Sequence, residues 1–241
     1  MEDEVMPKPS SNPFLFVGKT VSDEYGRQIG RIASFMVSPD GRINTVFVEH
    51  GDGEFLRYPN TQFRVNGSNI IILPSVKLKV KTLCDEIPLI WRKDQALKEL
   101  SEKKRVSTEM FNDIHKSFEG ALNQLKADAQ ATIDDIDKQI GKCTQQVNDL
   151  HSALVNLEIE REISRIDDES YQTAMGMIQR GLKHVNAEKT DLDAMRNKLS
   201  NIVLGDTSIT SVEKETEKEA PAPQASTLPE PPVVVHVKPS S

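Results

Sequence analysis

The histidines, cysteines and paired acids of this 241-residue chain are the groups that could do chemistry, and their spacing limits what kind. His50, His115, His151, His184 and His236 stand far apart, and none pairs with another at i, i+4. A zinc ion wants convergent ligands, which helical or short-loop spacing normally supplies. Cys84 and Cys143 form no CxxC, which argues against a zinc ribbon or a disulfide framework and suits a reducing compartment. No GxxxxGK[ST] or GxGxxG run offers a phosphate cradle. Asp134-Asp135 and Asp167-Asp168 resemble a general-acid set in composition alone, because neighbouring helical residues point in different directions. The second pair reads better as a helix cap and first turn. The expectation is a non-enzymatic protein with no catalytic residue, cofactor site or metal site.

Cations come next. Lys77, Lys79 and Lys81 alternate as they would along a strand, which would put three ammonium groups on one face. Lys103-Lys104-Arg105 forms a second group. Either could meet anionic lipid or phosphate, or simply be solvated. The whole chain carries 37 acids against 30 bases, a formal charge of −7, so it has no broad field for nucleic acid.

The remaining candidates are apolar groups that would recognise other chains. Phe111, Ile114, Phe118, Leu122 and Leu125 form a helical stripe that reads as a self-association surface. Val233, Val234, Val235, His236 and Val237 follow Pro231 and Pro232 and precede Pro239. A β-branched island bounded by prolines, at the end of a charged Pro-rich stretch, suits a peptide that adds a strand to a partner.

The elements that position these groups follow from punctuation. No proline occurs between Pro88 and Pro221, which permits very long helices. Before that gap, short β-type runs alternate with the turns Glu24-Tyr25-Gly26, Ser38-Pro39-Asp40-Gly41, Gly51-Asp52-Gly53 and Asn66-Gly67. A small closed or nearly closed barrel over residues 14–88 is the economical arrangement, because closure removes edges. Trp91 then reads as a lid on that barrel or as an interface anchor. Residues 89–204 read as coiled coil. Ile133, Ile136, Ile140, Cys143, Val147, Leu150, Leu154 and Leu157 step by three and four. Phe111, Leu122 and Ile133 step by eleven, a straighter period. The seam stops at Arg161 and Ser164, and Asp167 is a credible N-cap, so a turn near residues 164–168 would fold a second helix back as an antiparallel hairpin. The alternative is one continuous rod. Residues 1–13 and 205–232 read as disordered, with 233–238 as the recognition motif. The fold class expected is α+β in several parts: barrel, helical hairpin, tail.

Two stretches carry a resemblance. Gly18-Lys19-Thr20-Val21, Gly26-Arg27-Gln28-Ile29-Gly30-Arg31-Ile32, Asp40-Gly41 and Tyr58-Pro59 resemble the PRC-barrel pattern. With the coiled coil, Pro-rich linker and terminal β-like motif, the whole layout resembles the archaeal CdvA cell-division family. That resemblance implies a cytoplasmic scaffold that polymerises at the mid-cell division site, peripheral to the membrane. It also implies recruitment of the ESCRT-III-like CdvB, whose winged-helix domain would take residues 233–237 as a strand. DNA association, also implied, is discounted on the acidic charge. The alternative is a PRC-barrel adaptor for ribosomal or other nucleoprotein partners.

Overall fold

The computed structural model describes residues 13–66 and 69–205. Six strands come first: β1 Thr20–Asp23, β2 Gln28–Val37, β3 Ile43–His50, β4 Phe55–Pro59, β5 Phe63–Asn66 and β6 Asn69–Ile72. They form one sheet in the order β4-β3-β2-β1-β6-β5. Only β1 and β6 run parallel, with Val21 opposite Ile70. The expected closed barrel is not formed, since β4 and β5 remain the two edges of an open sheet. A 3₁₀ turn, Asn60–Gln62, separates these edges after Pro59, which has no N–H to offer a ladder. The sheet's core is Val21, Ile32, Phe35, Val46, Val48, Phe63, Ile70 and Ile72.

Three helices follow: α1 Ser75–Glu102, α2 Thr108–Glu162 and α3 Asp168–Leu204. The strand reading of Lys77, Lys79 and Lys81 is therefore corrected, because all three lie on α1. The run Val76, Val80, Leu83, Cys84, Ile87 satisfies helical spacing as well as alternation, and helical burial wins. Pro88 sits inside α1, which forgoes one backbone bond there, and the helical part begins at Ser75 rather than residue 89.

The chain reverses twice. His115 Nδ1 lies 2.5 Å from Asp94 Oδ1, placing α1 antiparallel to the root of α2. Tyr171 donates to Glu158 at 2.7 Å and Arg196 pairs with Asp137 at 2.7 Å, so α3 runs back along the rest of α2. The hairpin forms and the continuous rod does not. The helices share a second core, built on Val76, Val80, Ile87, Ile133, Ile136, Val185, Leu192 and Leu199.

The two helix–helix turns are conformational copies. Each preceding helix ends in a Schellman motif: Arg105 N donates to Leu100 O and Lys104 N to Ser101 O, as Arg165 N does to Glu160 O and Ser164 N to Arg161 O. Lys104 (φ 54°) and Ser164 (φ 58°) take the left-handed position. Each following helix opens on a side-chain cap, Ser107 accepting from Met110 N and Asp167 from Ser170 N.

Candidate functional site

The sheet and the helices bury separate apolar clusters, so the polar groups between them decide how the two are held. The β1–β2 turn supplies one side. Asp23, 7% exposed, accepts from Tyr25 N at 3.0 Å and Arg27 N at 2.8 Å through Oδ1, and from Arg27 Nε at 2.5 Å through Oδ2. Gly26 takes φ 90° at the apex, where an added Cβ would lie 3.8 Å from His184 Nε2. This rigid loop projects Glu24, Tyr25 and Arg27 toward the helices.

α3 supplies the other side with His184, Glu188 and Asp191, which share one face at i, i+4 and i+7. Arg27 Nη1 reaches Glu188 at 2.8 Å, and the Tyr25 hydroxyl donates to Asp191 at 3.3 Å. From α1, Lys77 Nζ lies 2.5 Å from Glu24 and 3.5 Å from Asp191. One turn is thus clasped to two helices by charge-assisted bonds. Burial, and then the charges of Glu24, Asp191 and Glu188, push the Tyr25 phenol far above its ordinary range, so it stays a donor. Burial opposes the Arg27 charge, but bonds to Asp23 and Glu188 outweigh it and hold the guanidinium protonated.

Beside the clasp lies an open cleft of about 440 Å³ whose lining includes Tyr25, Arg27, His50, Arg57, Tyr58 and Glu188. His50 Nε2 and the Tyr58 hydroxyl are hydrogen-bonded at 2.8 Å. The cleft's lining mixes both signs of charge with apolar side chains such as Ile29 and Ile72.

The sequence candidates are distributed differently. Lys77 is spent inside the clasp, while Lys79 and Lys81 are exposed. Trp91 is not a lid on the sheet: it packs against Gly205, where an added Cβ would fall 2.4 Å from its ring. Phe111, Ile114, Phe118, Leu122 and Leu125 are half-buried, not a bare stripe. Leu122 and Leu125 pack on the helical core to which α1 contributes Val80, Leu83 and Ile87, and Phe111 stacks on His115. α1 lies alongside this root of α2. Cys143 is buried, and burial followed by the charge of Glu188 pushes its thiol up, away from thiolate reactivity. Pro231, Pro232, Val233, Val234, Val235, His236 and Val237 lie outside the described residues. Lys77 apart, sequence reasoning does not find the clasp. Its one signal is the polar row His184, Glu188, Asp191 beside the apolar stripe of α3, which alone reads equally as a solvated face.

A family model described as a CdvA-like coiled-coil domain matches residues 77–222. The chain belongs to that family. The CdvA-like match begins near the start of α1 and covers α2 and α3, and the sheet lies outside it. Over 187 residues, 78% of this chain and 78% of the relative, the chain is 21% identical to Cell division protein A of Sulfolobus acidocaldarius. Among the described residues, no helix is long and apolar enough to cross a membrane.

Proposed function

We propose that the chain is a non-enzymatic scaffold of archaeal cell division. It assembles with copies of itself on the cytoplasmic face of the membrane at mid-cell and recruits an ESCRT-III-like partner, CdvB. The observation that carries this reading is the CdvA-like match across all three helices, together with a relative named Cell division protein A. The clasp supports it physically, since a scaffold must hold its parts at fixed angles and charge-assisted bonds do so. Recruitment rests on residues 233–237. Pro231, Pro232 and Pro239 bound five residues of high β-propensity, and a linker of 28 residues gives a reach on the order of 30 Å. Val233, Val235 and Val237 form the wholly apolar face that enters the partner. Calorimetry of the full chain with the partner's winged-helix domain tests this. Val235→Asp is expected to abolish binding and His236→Ala to weaken it mildly. Equal binding by the native chain and Val235→Asp, or no binding by the native chain, defeats the recruitment reading.

A further inference from the structure

The two turns share a backbone but not a surface. Counting back from their caps, Lys98 corresponds to Glu158, Leu100 to Glu160, Lys103 to Ile163 and Lys104 to Ser164. The caps themselves are Ser107 and Asp167, followed by Thr108 and Asp168. Two exchanges run the other way, Glu99 to Ile159 and Ser101 to Arg161. Over residues 98–109 the α1–α2 turn has four bases against Glu99, Glu102 and Glu109, and over 158–169 the α2–α3 turn has six acids against two bases, so the first end is weakly basic and the second strongly acidic. At the basic end Lys103 is held by Glu99 at 3.5 Å, while Lys104 and Arg105 are exposed and make no ion pair among the described residues. At the acidic end the two arginines are already engaged, Arg161 with Asp168 at 3.7 Å and Arg165 with Glu160 at 3.6 Å. Among the described residues Glu162 there is exposed and makes no ion pair, and the Asp168 side chain is 91% exposed.

Each end also exposes large apolar side chains. Leu100 and Met110 flank the basic turn at 37% and 56% exposure. Val155, Ile159 and Ile163 make an i, i+4, i+8 row beside the acidic turn, all more than half exposed. Nothing else in the described chain covers either end.

Opposite charge and bare apolar surface at the two ends of one rod point to one occupant for each end. We infer that the acidic α2–α3 end docks on the basic α1–α2 end of a second copy. This rests on the self-assembly part of the proposed function and names its interface. Such a contact is heterologous, so it leaves a free end on each copy and propagates into an open chain rather than closing as a dimer. α2 separates the two ends and has 55 residues, so the copies repeat at about 80–90 Å.

Charge reversal tests this with the full chain. Lys104→Glu with Arg105→Glu makes both ends acidic, and Glu162→Lys with Asp168→Lys removes the net negative charge of the α2–α3 end, so that neither end is acidic. Sedimentation velocity of each variant, of their equimolar mixture and of the native chain is compared at low salt, with circular dichroism confirming native helicity. The expected result is assembly of the native chain, a loss of roughly tenfold or more in assembly affinity for each variant alone, and recovery in the mixture. Negative-stain images of the native assembly should show the repeat given above. Variants that assemble like the native chain overturn the end-to-end contact and leave self-assembly standing. So does loss in each variant without recovery in the mixture. A native chain that stays monomeric throughout overturns self-assembly as well, which separates the two failures.

Discussion

Replacing Asp23 by asparagine perturbs the clasp with one atom. The Oδ1 acceptor for Tyr25 N and Arg27 N survives, while Oδ2 becomes an N–H₂ group facing Arg27 Nε. A charge-assisted bond to a buried group contributes about 1.5–3 kcal/mol, and Arg27 is 34% exposed, which favours the lower half. Setting a donor against a donor adds part of the penalty for an unsatisfied buried group, giving about 2–3 kcal/mol in all. Because the apolar clusters of sheet and helices are separate, the loss should concentrate in the β1–β2 turn and its neighbours. Native-state amide exchange reads this directly. Amides of Tyr25 and Arg27 are expected to exchange roughly 30- to 150-fold faster, while the middle of α2 stays within about twofold. Glu188→Gln removes a more exposed partner, so the same amides should respond by about 0.5–1 kcal/mol. Unchanged exchange at the turn, or a uniform change across the molecule, would refute the account of a local clasp.

Gly205→Ala should destabilise by at least about 1 kcal/mol and alter Trp91 fluorescence, since φ is +92° and the new methyl meets the indole; an unshifted spectrum counts against that contact. Cys84 and Cys143 should react with Ellman's reagent only as the helices unfold, and rapid modification of the native protein contradicts their burial. Leu122→Ala should destabilise the chain by about 2 kcal/mol, the low end for a leucine truncation because the side chain is partly exposed, and so lower the thermal midpoint even at concentrations where the chain is a monomer, because α1 packs over it. Burial pushes the Asp94 carboxyl up, but bonds from Lys98 and His115 outweigh it and hold it below its ordinary value. Its contribution is therefore complete above the unfolded carboxylate pKa and lost as pH falls through the lower folded value. Native Asp94 should make α1–α2 unfolding more acid-sensitive below about pH 4 than Asp94→Asn, as followed by circular dichroism.

What the sequence discloses depends on how local the cause is. Ser38 to Gly41 and His50 to Gly53 close as turns because proline, aspartate and glycine fix those dihedrals without help, and both carry the 3.2 Å-or-shorter closing bond. The α2–α3 reversal was legible because Arg161 and Ser164 break an apolar seam just before a capping Asp167. The α1–α2 reversal was not, since it uses the same geometry without glycine, with Lys104 left-handed and only Ser107 as a cap. Alternating valine, leucine and lysine at 76–81 satisfies two periods at once, and the choice is made by the core it meets, which is tertiary. The clasp is the extreme case. Tyr25 and Asp191 lie 166 positions apart, and no local pattern reports that they will meet.

Because α2 is a single unbroken helix shared by both turns, the two ends of the rod are geared to one another. Each residue between them adds about 1.5 Å of length and about 100° of rotation. Seven further residues in α2 would lengthen the rod by about 10 Å and turn one end by only about 20° relative to the other. Inserting two would barely lengthen it yet would turn that end through about 200°. Length and phase at the ends are thus both set by one residue number, and a change of one or two residues in α2 acts almost wholly on phase.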